Sequence, residues 1–135
     1  MDSKVITFEK FAQQAAKRME ERKKHRTERL RVAGMDAEME IRGLSDREVS
    51  ECYEFSDDSL EIDQYTIYCA SKTLQEAAKI MVANGQLQAG REYKITEVFT
   101  STERNYIAKR VLTLSGVLGD AGVEVIKEAE ELKNS

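Results

Sequence analysis

The chain has 135 residues, 41% of them hydrophobic and 34% charged, which is enough for one domain with a modest core and too apolar for a disordered chain. No apolar run approaches the length of a membrane-spanning helix, and the opening "MDSKVITFEKFAQQAAKRM" lacks the apolar core and small-residue cleavage site of a secretory signal, so a cytoplasmic location is expected. The formal charge of -4 is unevenly spread: residues 1–33 carry ten Lys/Arg and five Asp/Glu, residues 34–64 two and eleven, and residues 65–135 nine of each, a division that steers a charged partner or is satisfied by one lobe packing on another.

Phe8, Phe11, Ala12, Ala15 and Met19 recur at three- and four-residue intervals after Thr7, a suitable N-cap. The spacing predicts an amphipathic helix that opens the domain. From Glu20 the stretch "EERKKHRTER" has no apolar residue and reads as a solvated extension or a contact surface. Leu30 and Val32 then alternate with Arg29 and Arg31, and after Ala33-Gly34 the alternation continues through Met35, Ala37, Met39 and Ile41. This is strand periodicity, and folding the two runs about Ala33-Gly34 predicts a hairpin. That register puts Val32 opposite Met35, Leu30 opposite Ala37, Arg31 opposite Asp36 and Arg29 opposite Glu38, with each charge pair worth ~0.2–1 kcal/mol.

"SDRE" at Ser45–Glu48 is a capping box, so a short helix should follow with Val49, Cys52 and Tyr53 on its buried side. After "SDDS", Leu60 and Ile62 should pack at the core edge, and Tyr65, Tyr68 and Cys69 predict a helix from about Asp63 to Ala70. "TLQE" at Thr73–Glu76 reads as a second capping box, opening a helix with Leu74, Ala77, Ala78, Met81 and Val82 inward and Gly85 as its stop. Thr100 and Glu103 form a third, starting a helix through Tyr106, Ile107, Val111 and Leu114 that Gly116 ends. The expectation is a predominantly helical α+β fold: an N-terminal helix, one small antiparallel hairpin, a bundle of short helices and a C-terminal helix. Residues 1–118 would form the compact domain. Residues 119–135 would be a helical tail, with Val123, Ile126 and Ala129 on one face, hinged at Gly116, Gly119 and Gly122.

No residues combine into a catalytic signature. His25 sits in "RKKHRT" without a carboxylate orienter or nucleophile, Asp57-Asp58 diverge, and Cys52 and Cys69 read as reduced core residues. Asp36, Glu38 and Glu40 share a strand face, but the expected hairpin supplies arginine partners to two of them, which disfavours a metal. The glycines fit no phosphate-binding fingerprint. No enzymatic activity, cofactor or metal is therefore expected. Lys17, Arg18, Arg22, Lys23, Lys24, Arg26, Arg29 and Arg31 are the one feature pointing to nucleic acid, and they lack the interleaved aromatics that stack on bases. A small nucleic-acid-binding regulator acting through residues 17–31 is the alternative reading.

The order of these elements carries more. The basic lead-in, the hairpin with "MEIRGLSDRE", "IDQYTIYCAS" running into "LQEAAKIMVANG", and "VFTSTERNYIAKRVLTLSGV" together resemble the XkdN-like tail assembly chaperones of contractile-tailed phages and prophages. The resemblance covers residues 28–118 and is most specific in the helix from Glu103 closing on "LSG" at Gly116; the stretch between Gly85 and Thr100 departs from the group in lacking its proline-containing loop. The resemblance implies a non-enzymatic protein of the bacterial host cytoplasm that binds and solubilises the tape measure protein and helps recruit tail tube subunits, with no membrane partner. On that reading Tyr106, Ile107, Arg110 and Leu114 line an apolar groove for the partner, and Arg22, Lys23, Lys24 and Arg26 steer it.

Overall fold

The computed structural model describes residues 7–119, 122 and 123. Helix α1 (Phe8–Arg22) leads into a two-stranded antiparallel hairpin, β1 (Thr27–Arg31) and β2 (Glu38–Arg42), followed by α2 (Asp46–Glu54), α3 (Ser59–Ala70), α4 (Lys72–Ala83), a 3₁₀ helix (Glu92–Val98) and α5 (Ser101–Leu114). The fold is predominantly helical α+β. The tail expected over 119–135 lies, apart from Gly119, Gly122 and Val123, outside the described residues.

The core gathers Ile41 of β2, Ile67 of α3 and Val111 of α5, all fully buried, with Leu44, Leu74, Ala78 and Phe99 around them. α1 contributes nothing to it. Thr7 caps the helix by accepting from the Lys10 amide at 3.1 Å, but Phe8, Phe11 and Met19 are 93%, 61% and 66% exposed. The expected amphipathic stripe is therefore present and unburied. A helix built from a periodic sequence needs a receptor for its apolar face, and periodicity alone does not say where that receptor lies.

The hairpin corrects the expected register by two residues. Leu30 pairs with Met39, Arg31 with Glu38 and Arg29 with Glu40, leaving 32–37 as the connection. A slip of two keeps every side chain on its face, so the apolar set stays inward while the bulkier Met39 replaces Ala37 opposite Leu30. Arg31 reaches Glu38 at 3.1 Å and Arg29 reaches the same carboxylate at 3.9 Å, so one of the expected charge pairs survives as a diagonal.

Two of the three expected capping boxes are present. Ser45 and Glu48 open α2, and Thr100 and Glu103 open α5, each by reciprocal side-chain bonds. The box at Thr73–Glu76 is not: Ser71 caps α4, accepting from the Leu74 amide at 3.3 Å, and is at once the last cap of α3. Thr73 is instead inside the first turn, where its Oγ1 accepts from the Glu40 amide of β2 at 3.2 Å and satisfies a strand-edge donor. α3 also starts four residues earlier than its apolar spacing suggested, because the Asp58 carboxylate caps it by accepting from the Leu60 amide at 3.0 Å. Tyr53 and Leu60, expected at the core, are exposed.

At α5 the Gly116 amide donates to Thr113 and the Val117 amide to Leu112, with φ at Gly116 of 81°. This is a Schellman closure, in which the left-handed position favours glycine. Beside it the chain leaving β2 passes so close to the α5 terminus that a Cβ on Gly43 would lie 2.5 Å from the Leu114 carbonyl oxygen. The Leu44 amide donates to Ser115 Oγ at 2.7 Å, and that hydroxyl donates to the Val111 carbonyl at 2.6 Å. Arg42 grips Glu48 through two bonds of 3.0 and 2.8 Å, tying β2 to the start of α2.

Two tests follow from this junction. Gly43→Ala should lower stability by about 1–3 kcal/mol, since backbone must shift to admit the methyl group; a urea midpoint equal to that of the wild type would refute the close approach. The hydrogen bonds from Arg42, outweighing the cost of burial, hold the Glu48 carboxyl down from 4.5 to about 2. A folded-state value below the unfolded one stabilises above the unfolded value and is lost as pH falls toward 2. Glu48→Gln retains the capping bond and removes the charge, so its stability should fall less steeply than that of the wild type between about pH 4.5 and pH 2, measured by denaturant melts across that range.

Candidate functional site

Burial falls steadily from the base of the hairpin to its tip. Ile41 is fully buried and Met39 buried, whereas Ala37 and Met35 are exposed. The strand alternation continues past the last paired residue, so the tip carries apolar side chains outward beyond the helices that cover its base. The result is an apolar groove of about 300 Å³. Val32, Met35 and Ala37 form the hairpin wall, Ala77 and Met81 of α4 face them with Val98 of the 3₁₀ helix, and Met39, Leu74, Ile95 and Phe99 make the floor. Glu38 is the one charged residue on its lining. Three of the five methionines of the chain border it. Unbranched thioether side chains adapt to irregular apolar partners and are common at surfaces that accept varied helices.

Across Val32, the other side of the hairpin forms a smaller groove of about 290 Å³ with the first turns of α5, lined by Leu30, Val32, Thr102, Tyr106 and Ile107 among others. A third concavity, of about 590 Å³, lies at the base of the molecule between the C-terminal turn of α1 and the junction of β2 with α5. Arg18, Arg22, Lys23, Lys24, His25 and Arg26 line it on one side, Gly43–Asp46 and Leu114–Gly116 on the other. Arg22 reaches Asp46 at 3.5 Å, and Lys23 reaches Glu20 at 3.1 Å.

The face expected on α5 therefore divides. Tyr106 is exposed and walls the smaller groove, and Ile107 shows only an edge there, being 3% exposed. Leu114 is 7% exposed and belongs to the core, touching the basic cleft at the opposite end. Arg110, expected on the groove, donates from Nε to Glu28 Oε1 at 3.0 Å and from Nη2 to Glu28 Oε2, fastening β1 to α5. The Glu28 carboxyl is held below its usual range, chiefly by that hydrogen bond. Arg22, Lys23, Lys24 and Arg26 do come together, as the rim of the basic cleft. Gly116 lies on the same cleft as the closure of α5, Gly119 has a φ of 105°, and Gly122 has open space around it.

The groove beside α4 escaped the sequence reading, although a signal existed. Met35, Ala37 and Met39 share parity with Ile41, and a strand face that stays apolar past its last pairing partner must meet something. Of the cysteines read as reduced core residues, Cys52 is buried and Cys69 half-buried, both free, and the neighbouring Cys52 thiol together with burial pushes the Cys69 thiol up, away from the reactive thiolate. Among the described residues no His, Cys, Asp or Glu gather in threes as a metal site, and no helix is long and apolar enough to cross a membrane.

No protein-family model, curated protein or solved structure matches the chain. The arrangement is thus read on its own chemistry: an apolar groove suited to an amphipathic segment at one end of the hairpin, and a cationic cleft at the other.

The division of α5 is testable by a double-mutant cycle. Arg110→Gln should lower the thermal midpoint in the wild type but cost little once Glu28 is already Gln, because both changes break one bond; equal losses in the two backgrounds would return Arg110 to the partner-binding set.

Proposed function

We propose that the protein is a phage tail assembly chaperone that binds and solubilises the tape measure protein in the bacterial cytoplasm and helps recruit tail tube subunits. The observation that carries this reading is the methionine-bordered groove between the hairpin tip, α4 and the 3₁₀ helix. It is an open apolar channel with one charged lining residue, the chemistry by which a groove takes the apolar face of an amphipathic helix. A long helical client needs such a cover because its apolar faces aggregate when bare. The identity of the client comes from the resemblance of residues 28–118 to tail assembly chaperones, and the groove gives that resemblance a mechanism. The basic cleft would then act at longer range, raising the encounter rate with acidic stretches of the client.

The cleft also favours a second reading, a nucleic-acid-binding regulator, since Arg18, Arg22, Lys23, Lys24 and Arg26 converge on one concave surface. Dense cations that contact phosphates bind with a steep salt dependence, which separates the two.

Co-expression with the tape measure protein of the same phage should yield a soluble, nuclease-resistant complex. Met35→Asp/Val98→Asp, both at exposed positions, should abolish it, while Lys23→Gln/Lys24→Gln should slow association without abolishing the complex. An insoluble tape measure protein, together with co-purifying nucleic acid that Lys23→Gln/Lys24→Gln releases, would replace the chaperone with the regulator.

A further inference from the structure

Two surfaces of this chain lack a cover among the described residues, and each matches the other. α1 presents Phe8, Phe11, Ala15 and Met19 along one side, three of them more than half exposed. At 1.5 Å per residue it is roughly 22 Å long, a length at which an isolated helix is marginal in water. The methionine-bordered groove is an apolar channel of about 300 Å³.

The helix is held away from the groove of its own chain. Residues 23–26 connect it to Thr27, which pairs with Arg42 at the base of the hairpin, and Arg22 reaches Asp46 at 3.5 Å there. The groove lies at the opposite end, by Val32 and Met35. From that base the apolar stripe faces outward.

We propose that α1 of one copy seats its Phe8–Met19 stripe in the groove of a second copy, which returns its own α1, giving a closed two-fold dimer. Charge disfavours the alternative of helix against helix. At 100° per residue Arg18 borders the stripe and Arg22 follows it on the same face past Met19, while the one charged residue on the groove lining, Glu38, is shared by Arg29 and Arg31 of its own hairpin. Two α1 helices packed side by side by their stripes would crowd Arg18 and Arg22 of both copies. The regional balance agrees, with residues 1–33 cationic and 34–64 strongly acidic. The area suffices as well. Aromatic side chains bury ~150–250 Å² each, and with Phe8 93% and Phe11 61% exposed the two copies supply ~460–770 Å² of the ~1,200–2,000 Å² of a standard interface before the groove walls are counted.

This goes beyond the chaperone reading, because it concerns the chain alone: the unliganded groove is filled by a second copy, and a client helix competes with α1 for it. The test is sedimentation velocity of the full chain over a wide concentration range at low salt. The wild type should dimerise, and Phe8→Asp/Phe11→Asp and Met35→Asp/Val98→Asp should each halve the mass. An equal mixture of the two variants should regain a dimer, since one intact helix then meets one intact groove. Circular dichroism verifies the fold of each, and Val98→Glu alone serves if the double groove variant unfolds. A wild type that stays monomeric, a dimer that survives the groove variant, or a mixture of folded variants that stays monomeric would each overturn the proposal. The Phe8→Asp/Phe11→Asp variant keeps its groove and should still capture the tape measure protein, so the chaperone reading fails or stands by a separate result.

Discussion

The close approach at Gly43 is the constraint on which the rest of the structure depends. Where β2 ends, its backbone touches the carbonyl that ends α5, at a distance a side chain would forbid. The two strands, α2 and α5 meet near this point. Gly43 donates to Arg26 at the entry to β1 at 2.7 Å, Leu44 donates to Ser115, and Arg42 holds the first turn of α2 through Glu48. Because these polar groups satisfy one another, the base of the hairpin can be buried at no cost in orphaned donors. The Schellman closure at Gly116 then turns the chain out of the junction in one step.

Fixing the base leaves the tip free to differ. Toward the turn the sequence keeps its apolar alternation while the ladder ends at Arg31 and Glu38, so the connection 32–37 carries apolar side chains into a groove wall. Thr73 supports this wall from α4 by accepting the Glu40 amide, and the Glu28–Arg110 pair holds the other strand to α5. The hairpin is therefore braced on both sides at mid-height and open above. Methionine along the open part provides apolar surface whose shape adjusts to the occupant. Cations are collected at the base and apolar surface at the tip, an arrangement that on the proposed function would divide attraction at a distance from contact at close range.

Much of this fold was legible in the sequence where the signal was local. The capping boxes at Ser45 and Thr100, the glycine stop of α5 and the alternating strands each reflect hydrogen bonds within a few residues. What depended on distant partners was not legible. Thr73 looked like a cap, but Ser71 was better placed, and the threonine served a strand 33 residues away. The hairpin register followed the bulk of Met39, which only the packed core could rank above Ala37. Arg110 had the spacing of a groove residue but lay beside Glu28, 82 positions earlier in the chain. Tyr106 and the basic quartet, expected to meet a partner, are exposed, whereas the apolar groove beside α4 required three separate segments to be brought together before it existed at all.

The central claim is that the groove beside α4 receives an amphipathic client. Methionine methyl resonances report on it directly, because Met35, Met39 and Met81 border the groove while Met19 lies on α1. Titrating methyl-labelled protein with soluble segments of the tape measure protein should shift the Met35, Met39 and Met81 signals together and saturably. A complex that forms while those three signals stay in place would contradict the account.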